Sequence, residues 1–175
     1  MTKKVNPQSI HFWNNEKILI DANIWLYVFG PEALNAPKVY SNTFYEMLEH
    51  GAKLYINFAI ISEFINRSTR ISYAAYLKKY GYHREDFNYK IGYRPTEDFK
   101  VQYNQAMANI KDILSISTII STKEESIKNS VNYLSMLDFN DDIIIKDSLN
   151  YQLSIFTADR DYLEYPDENL KVYYI

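Results

Sequence analysis

The run Lys17-Ile18-Leu19-Ile20-Asp21-Ala22-Asn23 constrains the fold more than any other stretch of the chain. Consecutive aliphatic residues at Ile18, Leu19 and Ile20 give no polar face to turn toward water. Such a segment suits a parallel strand covered by helices on both sides. It stops on Asp-Ala-Asn, which delivers polar groups at the strand's carboxyl end, where open α/β sheets gather their ligands. The rest of the chain repeats this alternation. Lys53–Phe58, Leu153–Thr157 and Leu170–Ile175 read as strands, and Ser115–Ser121 as a further short one. A short apolar stretch, Ile24–Phe29, closes at Gly30-Pro31. Helical stretches follow at Ala36–His50 (Tyr40, Phe44, Met47 and Leu48 on one face, Gly51 after it), Ala59–Tyr80, Thr96 to about Leu114, and Asp141–Tyr151. Gly81–Pro95 reads as irregular. Thr122-Lys123-Glu124-Glu125 has the pattern of a capping box, opening a helix with Ile127, Val131, Leu134 and Leu137 on one stripe. Strands alternating with helices predict an α/β fold around a mainly parallel sheet.

The 175 residues fit one domain, 1–175, or one domain with an elaboration. There is no cysteine, which excludes a disulfide scaffold, zinc thiolates and thiol nucleophiles. Histidine occurs only at 11, 50 and 83, none at a strand end, so Ser-His-Asp chemistry is poorly supported. Neither a P-loop nor a Gly-x-Gly-x-x-Gly run occurs. The start lacks the apolar core of a signal peptide, and no run has membrane-spanning length. The expectation is therefore a cytoplasmic protein with no membrane association. A net charge of −3 supplies no bulk field for nucleic acid, so any polyanion ligand needs a local source of positive charge.

The acids supply a candidate source, because hard divalent cations prefer carboxylate oxygen. Asp21 follows the first strand, although capping the next helix would explain it equally well; Asn23 has the same alternative. Glu63 lies one turn into the helix after the second strand, where an i,i+4 pair with Arg67 is the plain explanation. Asp141 lines up with Ile144, Ile145 and Ser148, hence toward the interior, whereas Asp142 lines up with Lys146 and Leu149. A carboxylate facing inward needs a cation or hydrogen bonds. Thr157-Ala158-Asp159-Arg160-Asp161 sets a hydroxyl and two carboxylates at one turn, or simply caps a short helix.

Together, Ile20-Asp21-Ala22-Asn23, Ser62-Glu63-Phe64-Ile65-Asn66-Arg67, Phe139-Asn140-Asp141-Asp142 and Thr157-Ala158-Asp159-Arg160-Asp161 resemble the PIN-domain nucleases, most closely the VapC-like toxins of toxin–antitoxin systems. The resemblance covers roughly 17–67 and 125–175. It implies a three-layer α/β/α sandwich, with about 68–120 as a helical elaboration longer than usual. It also implies a single-strand-specific endoribonuclease held inactive by an antitoxin or inhibitor protein. Asp21, Glu63, Asp141 and Asp159 would be the catalytic acids binding one or two Mg2+ or Mn2+ ions, with Asn23, Thr157 and Asp161 in support. The doublet leaves Asp142 as an alternative third acid. Two divalent ions would cancel four carboxylates and raise the net charge from −3 to about +1.

Between residues 73 and 103, aromatics interleave with Lys78, Lys79, Arg84, Lys90, Arg94 and Lys100. This pattern suits an RNA channel with Arg84 and Arg94 as contacts, a homodimer contact, or an inhibitor-binding surface. The plain alternative, favoured for most of these rings, is a Tyr73/Tyr76/Tyr80 stripe packed on the core. Two rival functions remain: a non-catalytic PIN-like module that binds RNA or protein, and an aspartyl phosphatase. The latter is disfavoured by Asn23, where a second acid is usual.

Overall fold

The computed structural model describes residues 3–5 as backbone and residues 15–132 and 137–175 in full. Among these residues, β1 (Lys3–Val5), β2 (Lys17–Ile20), β3 (Lys53–Ile56), β4 (Ser117–Ile119), β5 (Ser154–Thr157) and β6 (Lys171–Tyr174) form one sheet in the order β1-β6-β5-β2-β3-β4. Every pairing is parallel. Helices α1 (Ala22–Phe29), α2 (Lys38–Glu49), α3 (Phe58–Tyr80), α4 (Glu97–Ile116), α5 (Glu124–Asn132) and α6 (Phe139–Tyr151) fill the connections. The chain leaves β2 toward β3 and β4 on one side, then returns to build β5 and β6 on the other. With right-handed connections, α1–α4 cover one face and α5–α6 the other, the three-layer α/β arrangement expected. The boundary between β2 and β5 is where strand order reverses, so the crevice lies there, at the carboxyl ends.

β2 owes its central place to its composition: Ile18, Leu19 and Ile20 are all wholly buried, as are Ile155 and Phe156 beside them in β5. Register pairs Leu19 with Ile155 and Ile20 with Phe156, so both strands end at one level. On the α1 side, Trp25 meets Phe44 and Phe29 with ring centroids 5.4 and 5.8 Å apart, pinning α1 and α2 together. β1 corresponds to no element expected from the sequence.

The structure corrects three local expectations. Thr122 does not cap α5; its hydroxyl donates to Asp147 Oδ2 at 2.7 Å, because that carboxylate is wholly buried and needs donors. Nor does α5 bury Ile127 and Val131, which are exposed; it buries Ser126. The reason lies on α6, which turns a polar stripe toward α5: Asn150 Nδ2 donates to Ser126 Oγ at 2.7 Å and Lys146 Nζ to Ser130 Oγ at 2.8 Å. Leu134 lies outside the described residues; Leu137 packs against the core. Third, Tyr73, Tyr76 and Tyr80 pack on the insertion's own rings rather than on the sheet. Tyr76 has Phe87 at 5.6 Å and Tyr93 at 5.1 Å, and Tyr93 meets Phe99 at 5.6 Å. Within the expected irregular stretch, Tyr89–Tyr93 forms one π-helical turn whose Asn88 cap accepts from Lys90 N–H at 2.8 Å. Gly92 lets the turn approach Phe87, whose ring would stand only 3.3 Å from an added Cβ.

Candidate active site

The Asp21 backbone N–H donates to the Phe156 carbonyl at 3.0 Å, which fastens the end of β2 to β5. Asp21 then caps α1, its Oδ1 accepting from Ala22 N–H at 2.6 Å, and its Oδ2 accepts the Thr157 hydroxyl at 2.6 Å. The capping and cluster readings of this residue therefore hold together. Thr157, wholly buried at the end of β5, is the junction. Its oxygen also accepts from Asp159 N–H at 2.9 Å and, at a long 3.5 Å, from Asn23 Nδ2. Asn23 does not cap; its Oδ1 accepts from Ala158 N–H at 3.2 Å and ties α1 to the turn after β5. Asp161 is exposed and contributes its backbone N–H, donated to Asp159 Oδ1 at 2.9 Å.

The acid doublet divides between two environments. Contrary to the inward placement expected of Asp141, Asp142 is the more buried of the two, because Lys146 pairs with it one turn along α6. Asp141 accepts from the Tyr162 hydroxyl at 3.0 Å and stands with the other acids. Glu63, partly buried, comes from α3, whose start is set by Asn57 accepting Ile60 N–H at 3.0 Å; Arg67 Nη1 lies 3.0 Å from its Oε1. The i,i+4 pair expected from the sequence thus exists, on a residue that also faces the cleft.

Burial pushes the Asp21 carboxyl up to about 7, and the Glu63 and Asp141 charges push the same way against the Thr157 and Ala22 hydrogen bonds. Burial likewise raises Asp141 to about 6, with Glu63, Asp159 and Asp138 adding to it and Tyr162 opposing. Each of the four acids therefore lies within electrostatic reach of at least one other. Tyr162, wholly buried in a 3-10 turn (Asp161–Glu164), went unrecognised in the sequence; its hydroxyl is held far above its ordinary range by burial and by Asp21 and Asp141. The available signal was an aromatic residue directly after the Asp-rich turn. Arg84 and Arg94 lie apart, on the aromatic lobe, with Arg94 5.6 Å from the Phe99 ring centroid.

Among the described residues no group of three or more acids or histidines is drawn tightly enough to hold an ion as it stands. The donor set nevertheless fits a hard divalent ion. It is all oxygen, with no thiolate or imidazole competing, and carries more buried negative charge than its hydrogen bonds relieve.

These side chains form an acidic site at the switch point of a parallel α/β sheet. A model of the PIN domain matches residues 18–168, and the chain belongs to that family, whose domains are generally nucleases. No curated protein matches. VapBC2 from Rickettsia felis, solved bound to a DNA fragment from its promoter, is similar in fold. Its TM-score is 0.55 at 15% identity, over 89% of this chain and 96% of that one. The family expected from the motifs is thus the family found. No helix among the described residues is long and apolar enough to cross a membrane.

Proposed function

We propose that the protein is a Mg2+- or Mn2+-dependent endoribonuclease hydrolysing phosphodiester bonds of single-stranded RNA, the toxin of a toxin–antitoxin pair. The mutual electrostatic reach of Asp21, Glu63, Asp141 and Asp159 at one sheet edge carries this reading. Asp21, Glu63, Asp141 and Asp159 would hold one or two ions, which when bound supply positive charge for the phosphate and a lowered pKa for water. Thr157 fixes Asp21 and the Asp159 backbone together, Tyr162 orients Asp141, and Asn23 fastens the turn that carries Asp159. With no imidazole in the group, proton transfer falls to carboxylate or solvent. A partner protein is supported by the likeness to VapBC2, and the site of action proposed is the cytoplasm. Arg84 and Arg94 are candidate contacts for a strand extending over the aromatic lobe.

The test is incubation of purified protein with single-stranded RNA and single-stranded DNA, in Mn2+, Mg2+ or chelator. RNA cleavage abolished by chelator is expected. Preferential DNA cleavage would overturn the substrate, and RNA binding without cleavage in any metal would favour a non-catalytic module.

A further inference from the structure

Helix α3 carries more than Glu63 toward the carboxylates. Glu63, Arg67, Arg70 and Ala74 recur at spacings of four, three and four residues, so they form one stripe leading away from the acids. That stripe walls an open groove of about 640 Å3, with Arg67, Arg70 and Ile71 facing Leu26, Tyr27 and Pro37. The groove begins at Arg67, one turn from Glu63. Tyr27 is braced by stacking on Tyr40, with centroids 4.4 Å apart. Arg70 lays its guanidinium 3.8 Å over the Tyr89 ring, which occupies its face and leaves its N–H edges free of that contact. One acid on the groove wall, Glu32, stands against two arginines.

We propose that this groove seats the single-stranded segment next to the scissile phosphate. Arg67 and Arg70 contact backbone phosphates there, and Arg67 exchanges Glu63 for a phosphate when the acids take up their cation. This rests on the nuclease reading. The exchange is physically cheap, because the Arg67–Glu63 pair is partly solvent-exposed, an arrangement that holds only weakly. A cation at Glu63 removes the charge that keeps Arg67 there. The charge balance favours a phosphate backbone over an acidic or apolar peptide, since phosphates match paired guanidinium groups and an apolar wall takes a base.

The experiment measures fluorescein-labelled mixed-sequence single-stranded RNA binding to the whole chain by anisotropy, in chelator, across a salt series. Mn2+ titration by calorimetry runs in parallel. Changing Arg67 and Arg70 together to Gln should weaken binding severalfold and flatten the slope of log K against log salt by roughly 0.7, the release expected for the one single-strand phosphate that Arg70 holds while Arg67 stays on Glu63 without a cation. Ala74→Trp, at an exposed position, should weaken RNA binding by filling the groove while leaving Mn2+ affinity unchanged. Arg67→Gln should tighten Mn2+ binding severalfold, since Glu63 is released. Unchanged RNA affinity and slope in the double variant, with Mn2+-dependent cleavage by the unaltered protein intact, overturns this inference alone. Ala74→Trp that blocks an inhibitor protein but leaves RNA binding intact assigns the groove to protein and overturns it too. An unaltered protein that neither binds Mn2+ nor cleaves RNA overturns the nuclease reading and this one with it.

Discussion

Thr157 joins more of the site than any carboxylate does. Its hydroxyl donates to Asp21 and accepts from the Asp159 backbone, so one oxygen fixes two acids from opposite ends of the chain. Thr157→Val keeps the shape and removes both bonds; it should cost roughly 1–3 kcal/mol, the range for stranding buried partners. Thr157→Ser should retain most of the stability, and urea unfolding distinguishes the two. Asp21→Asn should abolish metal-dependent cleavage, more than a hundredfold, with circular dichroism unchanged. At this scale the motifs were legible where a short strand ends abruptly on a polar residue, as at Asp21 and Thr157. Helical phase did not sort Asp141 from Asp142 by burial: Asp142 is the more buried, at 3% exposed, because Lys146 one turn on neutralises it there, while Asp141 is half-buried beside Tyr162. Tyr162 was not legible, since nothing in a ring beside Asp161 says whether a 3-10 turn will fold it inward. Glu16 was also missed. Burial pushes its carboxyl up, but hydrogen bonds from Lys171, Tyr173 and Ser154 and the Lys171 charge outweigh that and hold it below the ordinary value.

Among the elements, helix propensity and apolar spacing located α2, α3, α4 and α6 to within a few residues. Thr96 caps α4, accepting Phe99 N–H at 3.1 Å. The failure at α5 is instructive. Its own sequence offers Ile127 and Val131 as the inner stripe, but α6 presents Lys146 and Asn150, and polar partners demand the serine face. Amphipathicity read on one helix cannot reveal what the neighbour offers. The aromatic lobe failed for a similar reason, since its rings find one another rather than the sheet. Tyr93, wholly buried there with its hydroxyl donated to Asp98 at 2.7 Å, holds the lobe together. Tyr93→Ala should cost roughly 3–5 kcal/mol. Hydrogen exchange should accelerate over 81–103 more than in β2 and β5; uniform acceleration would mean the lobe and sheet unfold as one. Arg84 lies beyond the end of α3. Eighteen residues separate Glu63 from Gly81, about 27 Å along the helix axis, so any strand touching both spans several nucleotides. Changing Arg84 and Arg94 to Ala tests that reach, and an unaltered salt slope removes both residues from the RNA path.

For the whole molecule, strand order explains why four acids scattered over 139 positions (Asp21 to Asp159) converge. The reversal at β2 and β5 puts their carboxyl ends side by side, and α3 and α6 each bring one acid over the crevice. Alternating strands and helices made the layers legible, but the edge placement of β1 was not, because a three-residue strand carries no periodicity. The convergence leaves an electrostatic signature. Asp21 and Asp141 have folded-state values raised to about 7 and about 6, so their stabilising contribution is complete below the unfolded value and lost as pH climbs through those values. The metal-free protein should therefore lose melting temperature from these groups between about pH 4 and 7. Mg2+ should restore it, with a larger gain at pH 8 than at pH 5; a gain independent of pH would separate the ion from these acids. Glu16 acts in the opposite sense, its contribution fading as acid lowers the pH through its depressed value.

Those side chains share a hard cation in the proposed nuclease, and Mn2+ binding followed by titration calorimetry at neutral pH tests this most directly. The unaltered protein should bind Mn2+ with release of protons from Asp21 and Asp141, and Asp21→Asn should bind at least tenfold more weakly. Equal affinity in the two proteins, or binding without proton release, would contradict it.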